Sequence, residues 1–197
     1  MIYPVGDAGG KVARLALFGA DITRRREMEK KLEAMALTDQ LTDLYNRRGF
    51  FTLATREVKR AERSKKGLLL FFADLDGLKD INDRLGHEEG DHALIAAAKI
   101  LTRTFRVSDI ISRIGGDEFA ILLVETDERE AGKFIKKLQY ELLLAMDSYT
   151  FPVTFSFGIA VFYSFTMSIR EMMHVADACM YHSKKAGKNK ISIKTVR

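Results

Sequence analysis

The sequence predicts a mixed α/β fold: one sheet with helices on its faces. Three observations carry this. Apolar runs of strand length alternate with segments of helical period along most of the chain. Two of those runs flank Gly115-Gly116, which reads as a tight β-hairpin, because glycine tolerates the positive φ of such turns. The chain has 197 residues, 47% hydrophobic and 30% charged, enough for one domain with a real core and a modest appendage.

Composition narrows the function classes. Cys179 is the single cysteine, so no intrachain disulfide forms and a reducing cytoplasm is the expected compartment. No apolar run approaches the ~20 residues of a membrane span. The net charge of +5 suits an anionic ligand: nucleotide, nucleic acid or membrane surface. With no tryptophan and no arginine-rich tail, nucleic-acid binding has no specific support.

Residues 11–18 are short and strand-like after the turn signal at 6–10. One strand cannot bury itself, so it is expected to belong to an upstream domain or to pair with a second copy. Asp21-Ile22-Thr23 opens a charged helix to about residue 36, with Met28, Leu32 and Met35 as a stripe of barely one heptad. The stripe fits a coiled coil or an amphipathic helix packed on its own domain equally well. Helix breaks at 38–48, where Thr, Asp and Asn recur as caps and turn formers. A helix follows over 48–64 with Phe50, Leu53, Val58 and Ala61 inward.

The continuous apolar run 67–73 reads as a strand covered on both faces. It ends in Asp74-Leu75-Asp76-Gly77 and feeds a helix carrying Leu78, Ile81 and Leu85. Carboxylates at a strand's carboxyl end before a helix N-terminus make a metal and phosphate corner. Alternation sends Asp74 and Asp76 to one side and Leu75 to the other. Gly86 ends that helix, and Glu88-Glu89 opens the next, which runs to about 105 with Ala93, Leu94, Ala97, Ile100 and Leu101 inward. After the hairpin come a helix over 128–147, a strand over 151–161, a helix over 168–187 and a short strand, 191–193.

The organising stretch is Arg113-Ile114-Gly115-Gly116-Asp117-Glu118-Phe119, whose last five residues are the hairpin string. A lone Gly-Gly-Asp is usually a solvated turn. At ~7% usage per residue type, chance produces all five residues roughly once in several thousand chains of this length. The string resembles the signature of the GGDEF family of diguanylate cyclases, which condense two GTP into cyclic di-GMP. Residues 39–47 resemble that family's opening motif, Asp-x-Leu-Thr-x-Leu-x-Asn-Arg. Asp21-Ile22-Thr23 resembles the exit of a PAS sensory domain. These likenesses imply a remnant of a PAS-like domain over 1–20, a linker or signalling helix over 21–37 and a GGDEF domain over 38–197. The implied fold is palm-like, with a mainly antiparallel central sheet flanked by helices.

Joining two nucleoside triphosphates calls for a metal to activate a 3′-hydroxyl and for cations on the phosphates. By resemblance, Asp74, Asp117, Glu118 and the Leu75 carbonyl hold Mg2+, with Mn2+ able to substitute. Asp117 and Glu118 are the catalytic carboxylates. The family assigns Asp117 as proton acceptor, but a carboxylate beside Mg2+ is a weak base, and metal activation of the hydroxyl is the physically safer description. Lys79, Lys184 and Lys188 are the phosphate donors, and Gly115 and Gly116 let the substrate approach the backbone. Lys188 stands where the family has arginine, so charge is kept and the bidentate fork is lost. Leu78 stands where the family has Phe. Asn82 and Asp91 match the guanine-contacting positions and His87 a further substrate position. A carboxylate accepting from guanine N1–H and N2–H2 favours GTP over ATP. His92, His174 and His182 have no metal-ligand spacing and read as surface or packing residues. Arg106 and Asp109 resemble the family's product-inhibition site for cyclic di-GMP.

One domain offers one GTP site, so catalysis requires a homodimer set by the upstream helix, under an upstream sensory domain. Two other readings stand beside an active cyclase: a catalytically silent module binding cyclic di-GMP or GTP, and a relay or dimerisation unit. Without the family pattern, ordinary roles account for the same residues: helix capping for Asn82 and Asp91, solvated surface for the lysines, a surface ion pair for Arg106 and Asp109.

Overall fold

The structure is a computed structural model and describes residues 2–6, 9, 12–17, 36–124, 128–145, 147 and 153–197. The chain divides into two units, Met1–Ala34 and Met35–Arg197. In the first, β1 (Ile2–Gly6) pairs antiparallel with β2 (Val12–Leu17), Ile2 opposite Leu17. The strand expected to find its partner in another domain or copy therefore has one within its own unit. Proline at position 4 and the short length had hidden it. The expected helix over 21–36 lies outside the described residues, apart from its last position.

The second unit runs α1 (Arg47–Ser64), β3 (Leu68–Asp76), α2 (Leu78–Leu85), α3 (His87–Thr104), β4 (Ile110–Gly115), β5 (Glu118–Val124), α4 (Glu128–Ala145), β6 (Thr154–Phe162), α5 (Ile169–Lys185) and β7 (Ile191–Val196). The five strands form one sheet in the order β4-β5-β3-β6-β7. All neighbours are antiparallel except β6 and β7. This is the mixed, mainly antiparallel sheet flanked by helices that the sequence predicts.

Central β3 explains why its sequence is apolar without alternation. All nine residues are buried, because helices cover both faces. Leu69, Phe71, Ala73 and Leu75 pack into one cluster with Ile81 of α2, Leu94 and Leu101 of α3, and Leu138 and Leu142 of α4. Leu68, Leu70 and Phe72 pack into the other, with Phe50 and Val58 of α1 and Met172, Ala176 and Met180 of α5. The period of two then puts Asp74 and Asp76 on the α5 face and Leu75 on the α2 face.

Local signals set the ends of the elements. Asn46 caps α1: its side chain accepts from the Gly49 N–H at 2.9 Å and donates to the Thr38 carbonyl at 2.9 Å. Ser168 and Glu171 form a reciprocal capping box on α5. The expected inward set of α3 is buried throughout, whereas Leu85, at the last position of α2, is 53% exposed.

Candidate active site

The register of β3 against β5 sets Asp74 opposite Glu118, and the Leu75 N–H donates to the Asp117 carbonyl at 2.9 Å. The acidic hairpin tip thus lies beside the carboxyl end of the central strand. A residue's N–H and C=O point the same way in a strand, so the Leu75 carbonyl also faces the tip. The turn depends on Gly116, whose φ of 48° lies in the left-handed region.

Asp74 is nearly buried, and its Oδ2 accepts from Lys184 Nζ at 2.6 Å. Lys184 reaches it from the last turn of α5, which Ser183 pins by donating its hydroxyl to the Phe157 carbonyl at 2.7 Å. Burial pushes the Asp74 carboxyl up; the Lys184 bond pulls it down, but Asp117 and Asp76 push it further up, and the net shift is upward. Burial likewise raises Glu118, reinforced by Asp74, Asp117 and Asp177 and only partly offset by Lys184. Burial lowers Lys184, but its bond to Asp74 and the surrounding carboxylates outweigh that and raise it. The corner therefore carries more negative charge than one ammonium relieves.

A carboxyl whose pKa is higher folded than unfolded stabilises the fold fully below its unfolded value, here 4.5 for Glu118. That contribution is lost as pH rises through the folded value. At neutral pH Glu118 is thus ionised at a cost to the fold. Glu118→Gln is expected to raise the Tm of the metal-free chain at neutral pH and to leave it nearly unchanged at pH ~4. Calorimetric scans at both pH values test this, and a lower neutral Tm would contradict it.

One oxygen of the expected ligand set is already engaged, by Lys184. Among the described residues, no three acidic, histidine or cysteine side chains converge closely enough to hold a metal. Lys184 holds the Asp74 oxygen instead. The donor chemistry still fits a hard divalent cation, since carboxylates and a strand-end carbonyl adjoin in a corner short of positive charge.

Asp76 has a different role from Asp74. It is buried and accepts from Thr154 Oγ1 at 2.9 Å, from Ser156 Oγ at 2.9 and 3.0 Å, and from the Asn189 N–H at 3.3 Å. This holds the loop after α5, where Lys188 and Asn189 adopt left-handed φ of 59° and 47°. The sequence shows the carboxylate but not its three donors, which come from 78 to 113 residues away. Asp76→Ala leaves buried hydroxyls unsatisfied and is expected to cost about 2–3 kcal/mol by denaturant unfolding, since hydrogen bonds to charged groups contribute about that much. A loss under ~0.5 kcal/mol would show that the loop is held elsewhere.

Lys79 and His87 are exposed, at the second position of α2 and the first of α3. Asn82 is half-buried against α3, where a Cβ on Gly90 would fall 1.9 Å from its Oδ1. Asp91 follows Gly90 and is exposed. Asn82 and Asp91 are thus brought together where α2 meets α3, and neither caps a helix: Gly77 and Gly86 hold those positions.

Arg113 is a site residue that sequence reasoning missed. Its Nε donates to the Gly116 carbonyl at 2.9 Å, and its Nη1 donates to Asp39 Oδ1 at 3.2 Å. Thr42 donates to the same oxygen through its N–H and hydroxyl. Burial pushes Asp39 up, but the Thr42 and Arg113 bonds outweigh it and hold its carboxyl below the usual value. The opening loop is thereby tied to the hairpin turn. An Arg two residues before Gly115 and an Asp in the opening motif were the available signals.

Arg106 and Asp109 form a tight turn, with the Arg106 N–H donating to Asp109 Oδ2 at 2.8 Å. The Arg106 guanidinium lies 5.9 Å from the Phe134 ring centroid. Arg106 also lines a cavity of about 220 Å3 with Glu57, Arg60, Ser64 and Ser108. Arg60, on α1, thus adds a second cation to this region, one that no local pattern marks.

Acidic residues on two adjoining strand ends, backed by a lysine-bearing helix and flanked by a helix pair with an amide and a carboxylate, define an acidic centre on a palm-like α/β domain. The model of the diguanylate cyclase GGDEF domain matches residues 36–190, and the chain belongs to that family. It is 34% identical over 173 residues to the probable diguanylate cyclase DgcC of Escherichia coli K12, covering 87% of this chain and 47% of that protein. It is also 34% identical over 167 residues to the diguanylate cyclase TpbB of Pseudomonas aeruginosa UCBPP-PA14, covering 82% and 38%. The chain thus spans less than half the length of these relatives. Among solved structures, the coiled coil and GGDEF domain of DgcB from Caulobacter crescentus in complex with c-di-GMP superposes with a TM-score of 0.80 at 26% identity, covering 88% of this chain and 94% of that one.

Proposed function

We propose that this chain is a diguanylate cyclase that condenses two GTP into cyclic di-GMP and two pyrophosphates. The observation that carries the reading is the meeting of Asp74 with the Asp117-Glu118 tip across the β3–β5 pair, with Lys184 on Asp74. In each half-reaction a 3′-oxygen bonds to the α-phosphorus of the other GTP. The bond to pyrophosphate breaks, and the 3′ proton passes to water. Asp74, Asp117, Glu118 and the Leu75 carbonyl would hold Mg2+, or Mn2+ in its place. The ion, when bound, neutralises phosphate charge and acidifies the hydroxyl.

Lys184 gives up the Asp74 oxygen and turns to the phosphates, with Lys79 and Lys188 beside it. Gly115 and Gly116 allow the triphosphate close to the turn. Asn82 and Asp91 read the guanine edge, and His87 borders it. One domain holds one GTP, so two copies must face each other, brought together by the segment 21–37 under an upstream sensory region. Product binds at Arg106 and Asp109, with Arg60 as a second cation, and restrains catalysis.

Incubation with GTP and magnesium at high protein concentration tests the reading. Formation of cyclic di-GMP is expected; none, with GTP binding demonstrated, would refute it. By calorimetry, Arg106→Ala is expected to weaken cyclic di-GMP binding at least about tenfold, the equivalent of 1.4 kcal/mol. Unchanged affinity would remove Arg106 from the product site.

A further inference from the structure

We infer that the outer edge of β7 is a docking site for an extended acidic and apolar segment of a partner protein. The two edges of the sheet differ. Along β4, Tyr45 lies as a strap: its N–H donates to the Ile111 carbonyl at 3.2 Å, and its carbonyl accepts from the Arg113 N–H at 2.8 Å. Among the described residues, β7 has β6 alone for a neighbour. The Lys190 and Val196 carbonyls accept from the Phe157 and Tyr163 N–H groups, at 2.9 and 3.1 Å. Even-numbered residues of β7 therefore bond to β6, and Ile191 and Ile193 turn their backbone groups outward.

Both faces beside this edge have room for the side chains of one more strand. Toward α5 lies a groove of about 430 Å3 lined by Met167, Val175, Ala178, Cys179, His182 and Lys194. On the opposite face, the Ile191 and Ile193 side chains are 38% and 44% exposed. A strand laid against β7 would drop alternate side chains into the groove and set the others over the isoleucines.

Charge selects the occupant. Lys194 lies on the edge strand and Arg197 just after it, the Lys190 ammonium donates to the Ala186 carbonyl, and His174 and His182 stand on the helix beside the groove. Glu171 is the acidic residue lining the groove, and its carboxylate is already engaged by the Ser168 N–H and hydroxyl, both at 2.7 Å. A second copy would set Lys194 and Arg197 against their own kind, and like charges across strands are destabilising. Lysine on an edge keeps identical edges apart while admitting an acidic one.

The probe is a fluorescein-labelled ten-residue peptide of alternating valine and glutamate, with its valine–lysine counterpart as control, titrated against the full chain. The acidic peptide is expected to bind and the basic one not. Amide exchange should slow at Ile191 and Ile193 but not at Ser192. Lys194→Glu is expected to weaken binding at least about tenfold. Ile193→Pro, which removes one outward donor and leaves the β6 ladder intact, is expected to abolish it. Equal binding of both peptides, full binding by Lys194→Glu, or no added protection at Ile191 and Ile193 would overturn the proposal. So would self-association that Ile193→Pro abolishes without acidic-peptide binding, which would give the edge to a second copy. None of these readouts depends on GTP turnover.

Discussion

Asp74→Ala and Asp117→Ala are each expected to lose at least about three orders of magnitude of cyclic di-GMP formation, the equivalent of roughly 4 kcal/mol in the barrier. On the proposed mechanism, each substitution removes a carboxylate from the corner that would hold a divalent ion against the GTP triphosphate. The substitutions differ in what they leave behind. Asp74→Ala strips Lys184 of its 2.6 Å partner and relieves Glu118 of a like charge. The Lys184 pKa should then fall, visible by NMR as earlier titration of its ammonium. Asp117→Ala leaves that ion pair in place, so its loss of activity isolates the hairpin carboxylate. Magnesium titration of each variant separates lost metal affinity from lost folding. More than a tenth of wild-type turnover in either variant would sink the mechanism.

Gly90→Ala is expected to raise the GTP concentration for half-saturation by about tenfold or more, while the Tm stays within a few degrees. Two opposing effects set this. Alanine in a helix interior gains up to ~1 kcal/mol over glycine. Its Cβ would fall 1.9 Å from Asn82 Oδ1 and in ordinary contact with Leu78 at 3.5 Å, so it is Asn82 that must give way. An amide at the end of a flexible side chain moves at little cost to the fold, so on the proposed mechanism the damage falls on how Asn82 would meet the base. Asn82→Ala should reproduce the loss, and the double variant should be no worse than either single one. Additive losses would mean that Gly90 acts by another route.

Local chemistry made much of this legible in advance. The hairpin rests on two glycines, and the helix ends rest on Asn46, Gly86 and Ser168. The uninterrupted apolar run of β3 announced a strand covered on both faces. The alternation rule placed Asp74 and Asp76 on one side before any coordinates. Most of what it missed depends on partners far apart along the chain. Asp76 had no assigned role in the sequence, and Thr154, Ser156 and Asn189 give it one by donating to its carboxylate. Arg113 had no role assigned from the sequence, yet it clasps Asp39 and the turn carbonyl together. β1 escaped notice, and with it the partner of β2.

The sequence by itself determined the order of the elements from α1 onward, the acid-bearing turn and the family, because turns, caps and periodicity are properties of neighbouring residues. Only the tertiary structure decided that Asp74 faces Glu118, that Lys184 rather than solvent meets Asp74, and that Tyr45 straps β4 while, among the described residues, β7 has β6 alone for a neighbour. Those outcomes depend on strand register and helix docking, which are set by how two buried faces fill a shared volume.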